Sequence, residues 1–167
     1  MLTAEQKAAI ARVGAICGEY AISKNTAKPV NPRNPRPVLK FVYSDGARIY
    51  GTNGAVMFSE PQEIPAGFYT PAGQAIKESP FLSPLGYAAV IPSAAELREP
   101  DVNRTENNYF SVKIDDRQAD FNLDLIRQAA DFLNGEIRIR IAPDCFRLVL
   151  TSGNRVAVIA ALKRGDV

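Results

Sequence analysis

The stretch NLDLIRQAADFLNGEIRIRIAPDCFRLVLTSGNRVAVIAAL, residues 122–162, changes its hydrophobic period once and then keeps the new one. Leu125, Ile126, Ala129, Phe132 and Leu133 recur at helical spacing and form one apolar face. Asn122 stands where an N-cap belongs, Asp124 suits the positive end of the helix dipole, and Asn134-Gly135 is a C-terminal stop. The spacing therefore predicts a helix over 122–134. From Glu136 the period drops to two. Ile137, Ile139 and Ile141 alternate with Glu136, Arg138 and Arg140, which predicts a strand over 136–142. Pro143-Asp144 turns the chain into a strand over 145–151, and Ser152-Gly153-Asn154 turns it into another over 155–162. Connections this short require antiparallel neighbours.

The N-terminal part has the same plan. Thr3 caps a helix expected over 3–22, with Ile10, Val13, Cys17 and Tyr20 on its core face and many alanines to let neighbours approach. Residues 24–37, KNTAKPVNPRNPRP, carry too many prolines for helix or central strand and read as an extended basic arm or a plain surface linker. Strands are expected at Val38–Tyr43, Arg48–Tyr50 and Ala55–Ser59, with Asp45-Gly46 turning the first pair. Residues 61–108 are broken by seven prolines into an irregular insertion. Within it Phe68–Thr70 and Tyr87–Ile91 read as strands and Ser93–Arg98 as one helical turn, and Tyr109–Ile114 alternates as a strand. The expected fold class is α+β: one domain over 1–167, with two helices packed on antiparallel β-sheets. Its core should include Ile10, Val13, Phe132, Leu133, Ile137, Ile139, Leu148 and Val158.

Composition narrows the function classes. The chain has 167 residues, 46% hydrophobic and 23% charged, with a formal net charge of +2. That size and balance fit one globular domain, and the mild basicity alone does not indicate nucleic acid. No apolar run reaches the length needed to cross a bilayer. The start, MLTAEQKAAIARVGAICGEY, is too polar for a secretory signal, so a cytoplasmic location without a membrane partner is expected. There is no histidine, and Cys17 and Cys145 lie far apart. The commonest general base and the commonest zinc ligands are therefore missing, and the two thiols read as separate and reduced. Asp115, Asp116, Asp120 and Asp124 could hold magnesium or form a solvated turn leading into a helix. No nucleotide-binding or nucleophile-elbow motif is present, so neither an enzyme nor a cofactor is expected.

Arg36-Pro37-Val38-Leu39, then Asp45-Gly46, then Gly51-Thr52-Asn53-Gly54-Ala55-Val56-Met57, form an ordered set. With the Asn122–Leu162 pattern and its final Ala157-Val158-Ile159-Ala160-Ala161-Leu162, this set resembles the bacterial sliding DNA clamp, the beta subunit of the replicative polymerase. The resemblance covers residues 1–60 and 109–163. It departs where Ala55-Val56 stand in place of the family's His-Arg pair, where the proline of the last strand is missing, and in length, since a clamp protomer has three such domains.

The resemblance implies a DNA-clamp-like domain and a non-enzymatic role in DNA replication. That role is DNA binding or processivity, exercised as a homo-oligomer around double-stranded DNA. The alternative is a protein-interaction module that keeps the fold without encircling DNA, mimicking or blocking a host clamp; a phage or mobile element would be its source. A polymerase- or loader-type peptide would lie against Thr52, Gly54, Val56 and Met57 together with Val158, Ala160 and Leu162. The residues alone offer another reading of the loop: Asn53-Gly54 as a hairpin turn, with Val56 and Met57 in the core. DNA contacts would fall to Lys7, Arg12 and Arg127 on the helices and to Lys24, Lys28, Arg33 and Arg36 on the arm. The helix charges show no positive surplus. Arg138, Arg140 and Arg147 make the C-terminal sheet face the more basic surface.

Overall fold

A computed structural model describes residues 1–18, 37–77, 86–104, 108–144 and 147–162. The chain forms two compact units, Met1–Leu85 and Gly86–Val167.

In the first unit, helix α1 (Ala4–Gly14) lies on strands β1 (Val42–Ser44), β2 (Arg48–Thr52) and β3 (Val56–Pro61). With β4 (Gly67–Tyr69) the strand order is β4-β1-β2-β3, antiparallel throughout. The start of α1 is fixed by a reciprocal cap. The Gln6 amide donates to Thr3 Oγ1 (3.1 Å) and the Thr3 amide donates to Gln6 Oε1 (2.9 Å). Its end corrects the expectation of a helix through residue 22, because α1 stops at Gly14. Gly18 takes φ +124°, a conformation that suits only glycine, and its amide donates to Leu39 O (2.7 Å), which leads the chain off the helix. Residues 19–22, with Tyr20, lie outside the described set.

The close approach of α1 to the sheet rests on glycine as well as on the one buried alanine of the helix, Ala9. Ala4, Ala8, Ala11 and Ala15 are exposed. A Cβ added at Gly51 would sit 2.1 Å from Val13 O, and one at Gly14 would sit 3.1 Å from Val42. Helix backbone and strand backbone thus touch with no side chain between them.

Two further expectations need correction here. The strand expected over Val38–Tyr43 is a 3-10 turn, Pro37–Lys40, followed by the short β1. Proline's fixed φ suits the first position of a helical turn, and the turn seats Leu39 in the core. The β2–β3 hairpin is longer than read, since Gly51 and Thr52 belong to β2.

The second unit holds the one-turn helix α2 (Tyr87–Val90), a three-stranded sheet β5 (Asp101–Arg104), β6 (Tyr109–Ile114) and β7 (Arg117–Asn122), and helix α3 (Leu123–Leu133). Strands β8 (Arg138–Ile141), β9 (Arg147–Ser152) and β10 (Arg155–Ala160) follow in one antiparallel meander. α3 packs on β7, β9 and β10. It begins and ends as expected. Asn122 Oδ1 accepts from the Asp124 amide (2.8 Å), and Asn134 closes the helix in the left-handed region at φ 48°. Buried Leu125, Ala129, Phe132 and Leu133 face Leu148, Leu150, Ala157 and Ile159 across the core. The fold class is α+β with antiparallel sheets, as the sequence indicates.

Of the strand expected over Tyr87–Ile91, Tyr87–Val90 is helical and only Ile91 is extended. A short apolar run does not distinguish the two by itself. Here Arg147 donates to the carbonyls of Ala89 (3.4 Å) and Val90 (3.0 Å), which satisfies the end of the turn. β7 replaces the solvated turn expected around Asp115–Asp120. Only Asp115 and Asp116 turn, with Asp115 at φ 53°, and Asp120 is buried beside its register partner Ser111, whose hydroxyl donates to it. Ile137 and Ile139 are half-buried rather than core, because β8 ends the β10-β9-β8 order and only Ile141 is fully covered. Ile10, Val13, Phe132, Leu133, Leu148 and Val158 are buried as expected.

Candidate functional site

The loop singled out by the sequence is a closed polar circuit. The Thr52 hydroxyl donates to Val56 O (2.9 Å) and accepts from the Gly54 amide (3.0 Å). Asn53 Oδ1 accepts from the amides of Ala55 (2.9 Å) and Val56 (3.0 Å), and Gly54 adopts φ +90°. Asn53 itself is buried. Every partner of these side chains lies within the turn, which is the behaviour of an Asx-stabilised hairpin. Val56 and Met57 are 2% and 4% exposed. Of the two readings of the loop, this burial fits the hairpin turn with Val56 and Met57 in the core: alternate β3 side chains point to opposite faces, and both faces of β3 are covered from Val56 to Glu60. Thr52 is half-buried and Gly54 exposed. In the second unit Val158 is buried, Ala160 exposed and Leu162 half-buried, and the Leu162 amide donates to Asp120 O (2.9 Å).

The helix cations have local commitments. Arg12 forms a two-pronged bond to Glu60 through Nε (2.8 Å) and one terminal nitrogen (2.9 Å). The Glu60 side chain is 6% exposed and that of Arg12 33%. Hydrogen bonding to this carboxylate holds the guanidinium above its ordinary range, against the opposing effect of burial. Arg12 thus ties α1 to β3. Lys7 is exposed, and its stem lies along Gly73, where an added Cβ would come within 3.1 Å of it. Arg127 is exposed and pairs with Asp124 one turn earlier (3.4 Å). Lys24, Lys28, Arg33 and Arg36 lie outside the described residues.

Two of the three sheet-face arginines are also engaged. Arg138 pairs with Glu99 (3.0 Å), and Arg147 reaches the α2 carbonyls and Asp144 (3.7 Å). Of the acidic cluster, Asp115 pairs with Arg98 (3.1 Å), Asp120 is held by Ser111, and Asp124 sits in the first turn of α3. Among the described residues no group of three or more His, Cys, Asp or Glu side chains is placed to hold a metal ion.

Several groups were invisible to sequence reasoning. Arg155 donates to Phe132 O (2.9 Å) at the end of α3 and lies over the Phe132 ring at 5.7 Å. Asp45 accepts from the amides of Ala47 (2.9 Å) and Arg48 (2.7 Å) and from the Tyr50 hydroxyl (2.9 Å). Burial pushes the Asp45 carboxyl up, but these bonds outweigh it and hold it below its usual range. Burial first, and then the bond to Asp45, pushes the Tyr50 hydroxyl up to about 12. Cys17 is a free thiol that burial pushes up to about 11. The one legible signal was a charged residue inside an apolar run, Glu60 after Val56-Met57-Phe58, which demands a partner. Among the described residues no helix is long and apolar enough to cross a membrane.

No protein-family model matches the sequence, and no curated protein matches it. Solved structures do. The DNA polymerase sliding clamp from Pseudomonas aeruginosa with ligand matches at TM-score 0.59 and 8% identity, over 94% of this chain and 65% of that one. DNA polymerase III subunit beta from Borrelia burgdorferi, in complex with a natural product, matches at 0.56 and 12%, over 95% and 61%. The DNA polymerase III beta chain from Streptococcus pneumoniae matches at 0.54 and 8%, over 94% and 62%. The chain spans less than two thirds of the length of these proteins. At such identities the likeness is one of fold, and the fold is that of the sliding clamps.

Proposed function

We propose that this chain is a non-enzymatic, clamp-type accessory of DNA replication that acts as an assembly of copies on double-stranded DNA. The observation that carries the reading is the sliding-clamp fold over 94% of the chain. The charges on the helices shape it further. Arg12 is bound to Glu60 and Arg127 is paired with Asp124, while Lys7 is exposed. Non-specific DNA affinity rests on cations free to meet phosphate, so the contact falls to Lys7 and to the arm residues Lys24, Lys28, Arg33 and Arg36. A domain of this size cannot surround a duplex by itself, so this reading takes copies of the chain to close around it.

The same helix charges favour a second reading, a protein-interaction module that keeps the fold without encircling DNA. A replication-type peptide is its partner; a host clamp is the protein it would imitate or obstruct. Sedimentation velocity with and without a duplex separates the two. The first reading requires a multiple of the 18.2 kDa protomer mass and binding that weakens steeply with salt. A protomer that stays single and ignores the duplex at low salt overturns it and leaves the second.

A further inference from the structure

Strand β8 ends the β10-β9-β8 order, and its outer edge is only partly occupied. The Ile141 amide donates to Arg98 O (2.8 Å) and the Arg98 amide donates to Ile141 O (3.0 Å). Backbone groups of alternate residues point the same way in an antiparallel strand, so those of Ile139 also face outward. Arg98 belongs to the strap Leu97–Pro100, whose residue next in line, Pro100, has no N–H to donate to them. Beyond Pro100 the strap leaves to begin β5, whose Asp101 pairs with Lys113 of β6. Side chains repeat the pattern. Glu99 reaches Arg138 (3.0 and 3.3 Å), while Arg140, between the two isoleucines, has a buried Nε that meets no hydrogen-bond partner among the described residues. A buried guanidinium nitrogen without an acceptor is costly.

We infer that the β8 edge is a strand-addition site for an extended peptide of alternating acidic and apolar residues, and that Leu97–Pro100 occupies it as an internal stand-in. The occupant's chemistry follows from the edge. Arg138 and Arg140 point to one face and call for carboxylates there, a role Glu99 fills for Arg138 alone. Ile137 and Ile139 point to the other face, are half-buried, and call for apolar partners. A second β8 is a poor occupant, since antiparallel self-pairing would set arginine against arginine. Main-chain bonds to Ile139 would supply affinity and the two arginines direction. The strap lowers apparent affinity by holding the edge closed part of the time.

The test uses the full chain and a blocked six-residue peptide of alternating glutamate and valine, with a lysine–valine peptide as control, followed by calorimetry. Opening the strap with Arg98→Gly and Glu99→Gly together should tighten binding of the glutamate peptide at least ten-fold. Arg140→Gln should weaken it at least ten-fold, and the lysine peptide should not bind. Ile139→Pro, which removes an outward N–H that an edge strand can spare, should abolish binding with the circular dichroism unchanged. If that variant unfolds, the glutamate peptide methylated at alternate amide nitrogens replaces it and must fail to bind in the register that faces β8. Opening the strap without a gain in affinity overturns the proposal. So does binding that survives loss of the backbone bonds, which would be charge attraction alone.

Discussion

Gly51 and Tyr50 are neighbours in β2 and point to opposite faces, and each permits a sharp test. At Gly51 any side chain meets the backbone of Val13, which is not the far end of a flexible group and cannot swing aside. Gly51→Ala should therefore cost about 3 kcal/mol or more. Gly86→Ala, whose nearest neighbour would be 3.9 Å away, should stay within about 0.5 kcal/mol. Urea titration of both measures the contrast, and equal midpoints would contradict the close approach. Tyr50 answers to pH. Its hydroxyl keeps its proton to about 12 in the folded chain, whereas an unfolded tyrosine loses it at about 10. Its contribution is full below about pH 10 and is lost as pH rises through about 12, because the unfolded chain ionises first. Tyr50→Phe should flatten that part of the stability curve relative to the wild-type protein. A slope that is unchanged would mean that the hydroxyl does not favour its neutral form in the fold.

Among the elements, α3 and the β8–β10 meander were legible because cap, period and stop agree locally at Asn122, Leu125–Leu133 and Asn134-Gly135. β7 was not, because its buried acid, Asp120, is satisfied by Ser111 nine residues away and no local rule announces such a pair. The end of α1 escaped for a similar reason: the Gly18 amide finds its acceptor at Leu39. Arg12 and Glu60, 48 positions apart, joined two separately readable elements in a way neither showed. Arg12→Met should destabilise by about 2–3 kcal/mol, since it strands a buried carboxylate. Adding Glu60→Met should recover much of that loss. A double-mutant cycle on thermal unfolding checks it, and a double variant as unstable as the sum of the singles would deny the coupling.

At the scale of the whole molecule, the fold was readable from the order of weak local patterns, and the partner was not. The Thr52–Met57 loop could be located from Asn53-Gly54, but only its bonds and the burial of Met57 show that it satisfies itself. The segment 24–37 carries four cations, and Lys7, Lys40, Lys77 and Lys113 stand exposed elsewhere. Replacing Lys28, Arg33 and Arg36 with serine should leave stability within about 0.5 kcal/mol. If DNA is bound through the arm, the salt dependence of binding should become shallower by about one for each phosphate contact removed. An unchanged slope would return the arm to the role of a linker. The same loop also bears on how the chain ages. An asparagine followed by glycine degrades when the glycine amide attacks the side-chain carbonyl, which requires that side chain to swing free. Of the two such pairs in the sequence, Asn53 has its Oδ1 pinned by two amides and shut away from water, while Asn134 stands exposed at the end of α3. Chemical wear in storage therefore begins at the helix stop of the second unit and spares the turn of the first.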